Sequence, residues 1–266
     1  MPLAVCATPI GNLDDVTLRV LEELRFADLV LCEDTRHTRV LLDRHGIKAR
    51  LLSYHEHNEA KRTAEILPRL AAGERVALVS DAGLPGISDP GARLVAAALD
   101  EDLPVTVLPG ASAVDTALVA SAFSAERFQF VGFLPRGARA LASLWEELAG
   151  WPHLVVAFES PQRLPATLRS LAAVQPQRRV AVCRELTKRY EEVVRGSAQT
   201  VAARFADPPK GEITLVLGPG SGERDLSEAL DAVAELVAAG VPRRRAADLV
   251  ARLSGASRNE LYRRTL

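Results

Sequence analysis

The chain is short of several things, and each shortage excludes a class of protein. It has three cysteines in 266 residues, Cys6, Cys32 and Cys183, widely spaced and without a CxxC pair. A disulfide scaffold is excluded, and the thiols are expected to be small core hydrophobes in a reducing compartment. No apolar run approaches the ~20 residues that a bilayer span needs. The opening stretch MPLAVCATPIGN has no basic region and no cleavage site, so a signal peptide is not expected and the cytoplasm is. An excess of either charge is missing as well. Lys plus Arg is 33 and Asp plus Glu is 34, a net charge of -1. A uniformly basic nucleic-acid binder is excluded, whereas a local basic patch is not. Two phosphate motifs are absent: no GxxxxGK[ST] occurs, and no GxGxxG follows an early strand.

What is present is an ordinary globular composition, 48% hydrophobic and 25% charged, which excludes disorder and collagen. Short apolar runs alternate with stretches of helical period. Strands are expected at 3–7, 28–32, 76–80 and 105–108, and helices at 15–25, 38–45, 58–72, 90–99 and 112–122. That alternation argues for βαβ units and a mostly parallel sheet. Further strands are expected at 128–133, 154–158, 179–183, 193–195 and 213–217, with helices at 138–149 and 163–173. A hairpin around 185–191 makes the second sheet mixed. The expected architecture is α/β, with one domain over 1–120, a second over 121–220, and a ligand cleft between them. From 225 the pattern turns helical, with segments near 226–239, 242–253 and 258–264. Asp225-x-x-Glu228 and Ser257-x-x-Glu260 resemble capping boxes, and Gly240 and Gly255 stand where helix C-caps belong. This tail carries Arg243, Arg244 and Arg245. They are either a solvated helical face or an RNA-docking surface.

In open parallel sheets, ligands bind beyond the carboxyl ends of the strands. The loops there are 8–13, 33–37, 80–91 and 109–113. The 80–91 loop exceeds the ordinary 2–6 residues and holds three glycines and two prolines. Two decoys are set aside. ITLVLGPGSG at 213–222 looks like a Rossmann methyltransferase loop, but the βα units that fold requires do not follow. VLPGASAV around Ser112 lacks the second glycine of a nucleophile elbow. His55-Glu56-His57, if on a strand, would put both imidazoles on one face, where a third ligand such as His37 could complete a metal site. The alternative is a polar rim beside a substrate. A second polar cluster runs from Glu159 to Arg163 and from Arg184 to Glu192. Its basic groups could hold phosphates or form a salt-bridged hairpin.

ATPIGNLDDVTLR, CEDTRHTRVLL, SYHEHNE, VSDAGLPGISDPG, PGASA, FVGFLPRG, FESPQRL, RELTKRYEE and GEITLVL occur in this order between residues 7 and 217. The series resembles the bacterial small-subunit ribosomal RNA 2'-O-methyltransferases, which modify a cytidine in 16S rRNA and belong to the tetrapyrrole-methylase-like superfamily. The resemblance implies two α/β domains with a helical appendix, a homodimer, and S-adenosylmethionine bound between the domains. The partner is 16S rRNA or the 30S subunit, with no membrane role. By position, Pro9, Asp81, Ala82, Gly83, Ile87, Ser88, Ser112, Ala113, Phe133 and Thr214 are expected to line the cofactor. His55, Glu56, His57 and Asp34 are candidates for activating the ribose hydroxyl, with Glu185 behind them. Arg36, Arg184, Lys188 and the tail arginines are candidates for RNA phosphates. Methylation of a tetrapyrrole-like small molecule is the alternative. Two positions depart from the family pattern. Gln162 replaces a usual His, and Ala122 replaces a common Gly and is expected to change only helix packing.

Overall fold

The three central strands of the first sheet are apolar on both faces, because helices cover both. A computed structural model describes residues 2–220, 227–254, 256 and 258–265. The first unit runs β1 (Leu3–Cys6), α1 (Leu18–Phe26), β2 (Leu29–Cys32), α2 (Thr35–Arg44), β3 (Leu51–Ser53), α3 (Glu59–Ala71), β4 (Val76–Leu78), α4 (Ala92–Asp100) and β5 (Val105–Leu108). Its sheet has the order β3-β2-β4-β1-β5, and every neighbouring pair is parallel. The period of two sorts the side chains. Leu3, Val5, Leu29, Leu31, Val76 and Leu78 pack with Ile66 and Leu70 of α3 and Leu94 of α4. Ala4, Cys6, Val30, Cys32 and Ala77 pack with Val20 and Leu24 of α1 and with Leu41 and Leu42 of α2.

Caps set the helix starts, and two differ from the sequence expectation. Thr17 accepts a hydrogen bond from the Val20 N–H at 3.2 Å, so α1 begins after it, and Leu13–Asp15 forms a separate 3-10 turn. Asp34 accepts from the Arg36 N–H at 2.8 Å, which starts α2 at Thr35 rather than at 38. β3 was not expected. It is a three-residue edge strand of intermediate burial, too short to show a period.

After α5 (Ala113–Ser121) come β6 (Phe128–Phe133), α6 (Ala138–Ala149), β7 (Leu154–Glu159), α7 (Leu164–Val174), β8 (Arg179–Arg184), β9 (Glu192–Ser197), α8 (Ala198–Arg204) and β10 (Ile213–Leu217). The order is β6-β7-β10-β8-β9. Only β6–β7 is parallel; β8 and β9 form the hairpin around 185–191. One face packs on α6, α7 and α8 through Trp145, Leu168 and Val201. The other face, with Leu154, Val156, Ala181, Cys183 and Val216, packs on Ala117 and Leu118 of α5 and on Ile10 from the first unit. The three cysteines are free and buried. Burial pushes the Cys6 and Cys183 thiols up to about 12, so neither is a nucleophile near neutral pH.

The tail comprises α9 (Ser227–Ala238), α10 (Arg243–Ser254) and α11 (Arg258–Arg264) around Val233, Ala246, Val250 and Leu261. Gly240 ends α9 at φ 89°, with its N–H on the Val237 carbonyl at 3.0 Å. The expected capping boxes at Asp225 and Ser257 and the C-cap at Gly255 lie outside the described residues.

Ala122 acts through the backbone, not through helix packing. It ends α5 in the left-handed region, φ 56° and ψ 26°, and is exposed. There an alanine Cβ costs about 1–2 kcal/mol relative to glycine. Part of that returns as unfolded-state entropy when glycine is introduced. Ala122→Gly is expected to stabilise the protein by about 0.5–1 kcal/mol in urea unfolding.

Candidate active site

The loops at the carboxyl edge of the first sheet are tied to one another. Thr8, after β1, forms a two-bond bridge with Gly83, its N–H on the Gly83 carbonyl at 2.8 Å and the return bond at 3.1 Å. The Thr8 hydroxyl donates to the Ser80 carbonyl at 3.0 Å. Gly83 has φ 79°, and Gly91, at the end of the same loop, has φ 140°. A Cβ on Gly91 would stand 3.0 Å from Leu78 and 3.3 Å from Pro85, so glycine is needed for both conformation and space. The next loop residues reach the second unit. The Asn12 N–H donates to the Thr187 hydroxyl at 3.0 Å. Thr187 has φ 65°, unusual for a β-branched residue, and neighbouring Glu185 has φ 52°. Such backbone concentrates at functional sites.

Between the two sheets lies a cavity of about 540 Å³, within the range of small-molecule sites. The first unit supplies Ile10, Asp81–Leu84, Ile87–Asp89 and Pro109–Gly110; the connecting α5 start supplies Ala111–Asp115. The second supplies Phe133 from β6, Phe158 and Glu159 from β7, Cys183 from β8 and Glu212–Thr214 at β10. Phe133 and Phe158 meet edge to face with centroids 5.4 Å apart. The wall is largely apolar, but its charges share one sign. Asp81, Asp89, Asp115, Glu159 and Glu212 line it, and among the described lining residues there is no Lys, Arg or His. Glu159 is only 2% exposed. It accepts from the Thr167 hydroxyl at 2.6 Å, the Ser160 N–H at 2.6 Å and Arg163 at 3.2 Å. Arg163 also donates to the carbonyls of Leu134 and Pro135. Gln162, in the same motif, is exposed and outside this network.

Nine of the ten residues expected at the cofactor line this cavity; Pro9 is buried beside it, and Ile10 faces in. Phe158, Glu159, Cys183, Glu212 and Asp89 were not anticipated. Asp89, Phe158, Glu159 and Glu212 stood within quoted motifs and Cys183 outside them; Phe158 and Cys183 face the cavity because α5 leaves their end of the sheet face open.

Asp34, His55, Glu56 and His57 are not among the cavity lining; Asp34 and His37 are joined to it through Asp81. The Asp34 N–H donates to Asp81 at 3.1 Å, and His37 Nδ1 lies 3.2 Å from the other Asp81 oxygen. His55-Glu56-His57 lies in a loop and turn, not on a strand, so the premise for the metal alternative fails, and among the described residues no group of three or more His, Cys, Asp or Glu could hold a metal ion. Asn58 accepts from the His55 N–H at 2.9 Å and donates to His55 Nε2 at 3.0 Å. That places the proton of a neutral His55 on Nδ1, which is buried without a partner. Glu56 and His57 are exposed. The Arg36 guanidinium and backbone N–H hold the Asp34 carboxyl well below the usual carboxylate range. Arg36 itself is 88% exposed. Arg184 pairs with Glu192 at 3.0 Å, and Lys188 sits between Glu185 and Glu212 at 2.9 and 3.0 Å. Arg244 and Arg245 are exposed on α10 and Arg243 is half-buried.

Residues 2–202 match the family model described as Tetrapyrrole (Corrin/Porphyrin) Methylases, and residues 224–266 match the RsmI C-terminal HTH domain. The chain is 43% identical over 99% of its length to the Ribosomal RNA small subunit methyltransferase I of Mesorhizobium japonicum, covering 91% of that protein. It is 42% identical to the same-named protein of Synechocystis, over 99% of this chain and 97% of that one. The chain belongs to the ribosomal RNA small subunit methyltransferase I family, within the tetrapyrrole methylases. Its fold is shared with more distant members. The methyltransferase CobJ aligns with TM-score 0.62 at 19% identity, over 84% of this chain and 95% of that one. The uroporphyrin-III C-methyl transferase of Thermus thermophilus, complexed with S-adenosyl homocysteine, aligns with TM-score 0.58 at 17% identity, over 81% and 96%.

In this family member the Glu159 network closes the cavity wall. Glu159→Ala would leave the buried Thr167 hydroxyl without its acceptor and Arg163 without its counter-charge, bonded only to the Leu134 and Pro135 carbonyls. It is expected to cost roughly 2–4 kcal/mol, read as a lower urea midpoint, whereas Gln162→Ala at the exposed neighbour is expected to leave the midpoint unchanged.

Proposed function

We propose that the protein transfers a methyl group from S-adenosylmethionine to the ribose 2'-oxygen of a cytidine in 16S rRNA. The observation that carries this reading is the charge of the cavity. A largely apolar slot lined by five carboxylates, two of them paired with Arg163 and Lys188 outside the lining, disfavours phosphate and favours a positively charged small molecule. Family membership makes that molecule a methyl donor. When bound, S-adenosylmethionine supplies an electrophilic methyl group on a sulfonium centre. Ala82, Ala111 and Ala113 leave room for flat, apolar parts of the cofactor, while Asp81 and Thr214 offer polar contacts. Holding donor and acceptor in line contributes several kcal/mol toward the barrier in such reactions.

The rim is the acceptor side. Glu56, His57 and Arg36 are exposed there and can meet a nucleotide. Arg184 and Lys188 can reach phosphates only in competition with the carboxylates that hold them. The tail arginines 243–245 add a second basic surface, in the segment that matches the HTH description. The reading includes a homodimer acting in the cytoplasm on 16S rRNA or the 30S subunit. Among the described residues no helix is long and apolar enough to cross a membrane. The tail match and the full-length relatives favour RNA over a tetrapyrrole-like acceptor.

Incubation with labelled S-adenosylmethionine and small subunits lacking the modification is expected to label one cytidine, on the ribose, leaving that linkage resistant to alkali. His57→Ala or Glu56→Ala is expected to lower single-turnover transfer while S-adenosylhomocysteine still binds. Cofactor binding without ribose labelling would overturn the acceptor assignment.

A further inference from the structure

A base for the acceptor hydroxyl must turn a free lone pair outward while staying fixed to the cavity that takes the methyl donor. His37 is built that way. It stands in the first turn of α2, next to exposed Arg36, and its own side chain is 72% exposed. Its Nδ1 lies 3.2 Å from one oxygen of Asp81, a lining residue of the cavity. The other Asp81 oxygen accepts the Asp34 N–H at 3.1 Å, and the Asp34 side chain accepts the Arg36 N–H at 2.8 Å. Cap, carboxylate and imidazole are thus fixed to one another at the start of one helix. A carboxylate oxygen only accepts, so Nδ1 carries the hydrogen of a neutral ring and Nε2 keeps its lone pair.

Among the described residues no other side chain combines these features. His45 Nε2 lies 3.2 Å from the Leu13 carbonyl, His55 Nε2 faces Asn58 at 3.0 Å, and His153 meets Trp151 edge to face. Glu56 and His57 are exposed, but among the described residues no hydrogen bond orients either side chain or joins it to the cavity lining. They can meet a nucleotide without being aimed at it. Asp34 is tied to Arg36, Glu159 to Arg163 and Glu212 to Lys188. Asp89 and Asp115 line the cavity, and among the described residues neither side chain is hydrogen-bonded to the side that carries Arg36 and His37.

We propose that His37 is the catalytic base and Asp81 its positioning partner, an assignment that rests on the ribose-methylation reading above. His37 Nε2 takes the proton of the 2'-hydroxyl while the oxygen's electron pair forms the bond to the methyl carbon. The carbon–sulfur pair leaves with sulfur as a neutral thioether, and the imidazolium later gives its proton to water. One positive charge is lost inside the cavity and one appears on the ring. Asp81 borders both places, so one fixed carboxylate faces positive charge before and after transfer.

The test is His37→Asn and Asp81→Asn in the full chain. His37→Asn keeps an amide N–H that can face Asp81 but has no Nε2. With small subunits lacking the modification at saturation, it is expected to lower single-turnover transfer about 100-fold, with S-adenosylhomocysteine affinity and urea midpoint unchanged. Nitrogen-15 shifts of the neutral His37 ring in the parent are expected to show hydrogen on Nδ1. Asp81→Asn is expected to move it toward Nε2, because the amide oxygen stays on the Asp34 N–H and the NH2 group faces the ring. Ribose transfer by His37→Asn within about fivefold of the parent would overturn the proposal while leaving the function intact. So would a neutral His37 ring that carries its hydrogen on Nε2 in the parent, or one that Asp81→Asn leaves unmoved. A parent protein that binds S-adenosylhomocysteine yet methylates no ribose would overturn the function, and this base assignment with it.

Discussion

The uncovered face of the second sheet is the constraint on which the rest depends. Val156, Ala181, Cys183 and Val216 are apolar and must be kept from water. Among the described residues no helix of the second unit packs on that side. The chain uses α5 and Ile10, which arrive directly from the first unit, so the two sheets are held face to edge. Because one nine-residue helix cannot cover the whole face, Phe158, Cys183 and Thr214 remain as the cavity floor. The loops of the parallel sheet form its other wall. The site is thus a consequence of how the second core is completed, and the Asn12–Thr187 bond holds the same junction at its rim.

Electrostatics divides that site into two parts. The cavity wall collects five carboxylates, of which Glu159 is paired with Arg163 and Glu212 with Lys188 outside the lining. The rim carries Arg36 and imidazoles, which suit an anionic acceptor. On the proposed reading, a sulfonium inside and an RNA backbone outside would suit these two parts. The strained residues Ser88, Glu185 and Thr187 sit around this division, where the geometry of reactants matters most.

Much of this was legible in the sequence, and the failures have physical causes. The apolar pattern placed β5, β6, β10 and α6 to the residue, and in β5, β10 and α6 Gly or Pro stands within two residues of both ends. β3 escaped because three half-buried residues at a sheet edge carry no period. Ala122 was misjudged because its effect lies in φ, which side-chain patterns do not report. The glycine-rich loops of the first unit pointed to the cavity. Cys183 could not be placed, since only α5 decides how much of its strand face stays open; Glu159 and Glu212 stand at strand ends, where the facing loops decide what reaches the cavity. The metal alternative at His55 and His57 required a strand; the turn held by Asn58 removes that condition.

The central claim is that one ligand site is built jointly by both sheets. Hydrogen exchange with and without S-adenosylhomocysteine tests it most directly. The account predicts added protection in 80–91 and 109–115 of the first part and in 212–214 and 158–161 of the second, in the same titration. Protection confined to the loops of one sheet would contradict it.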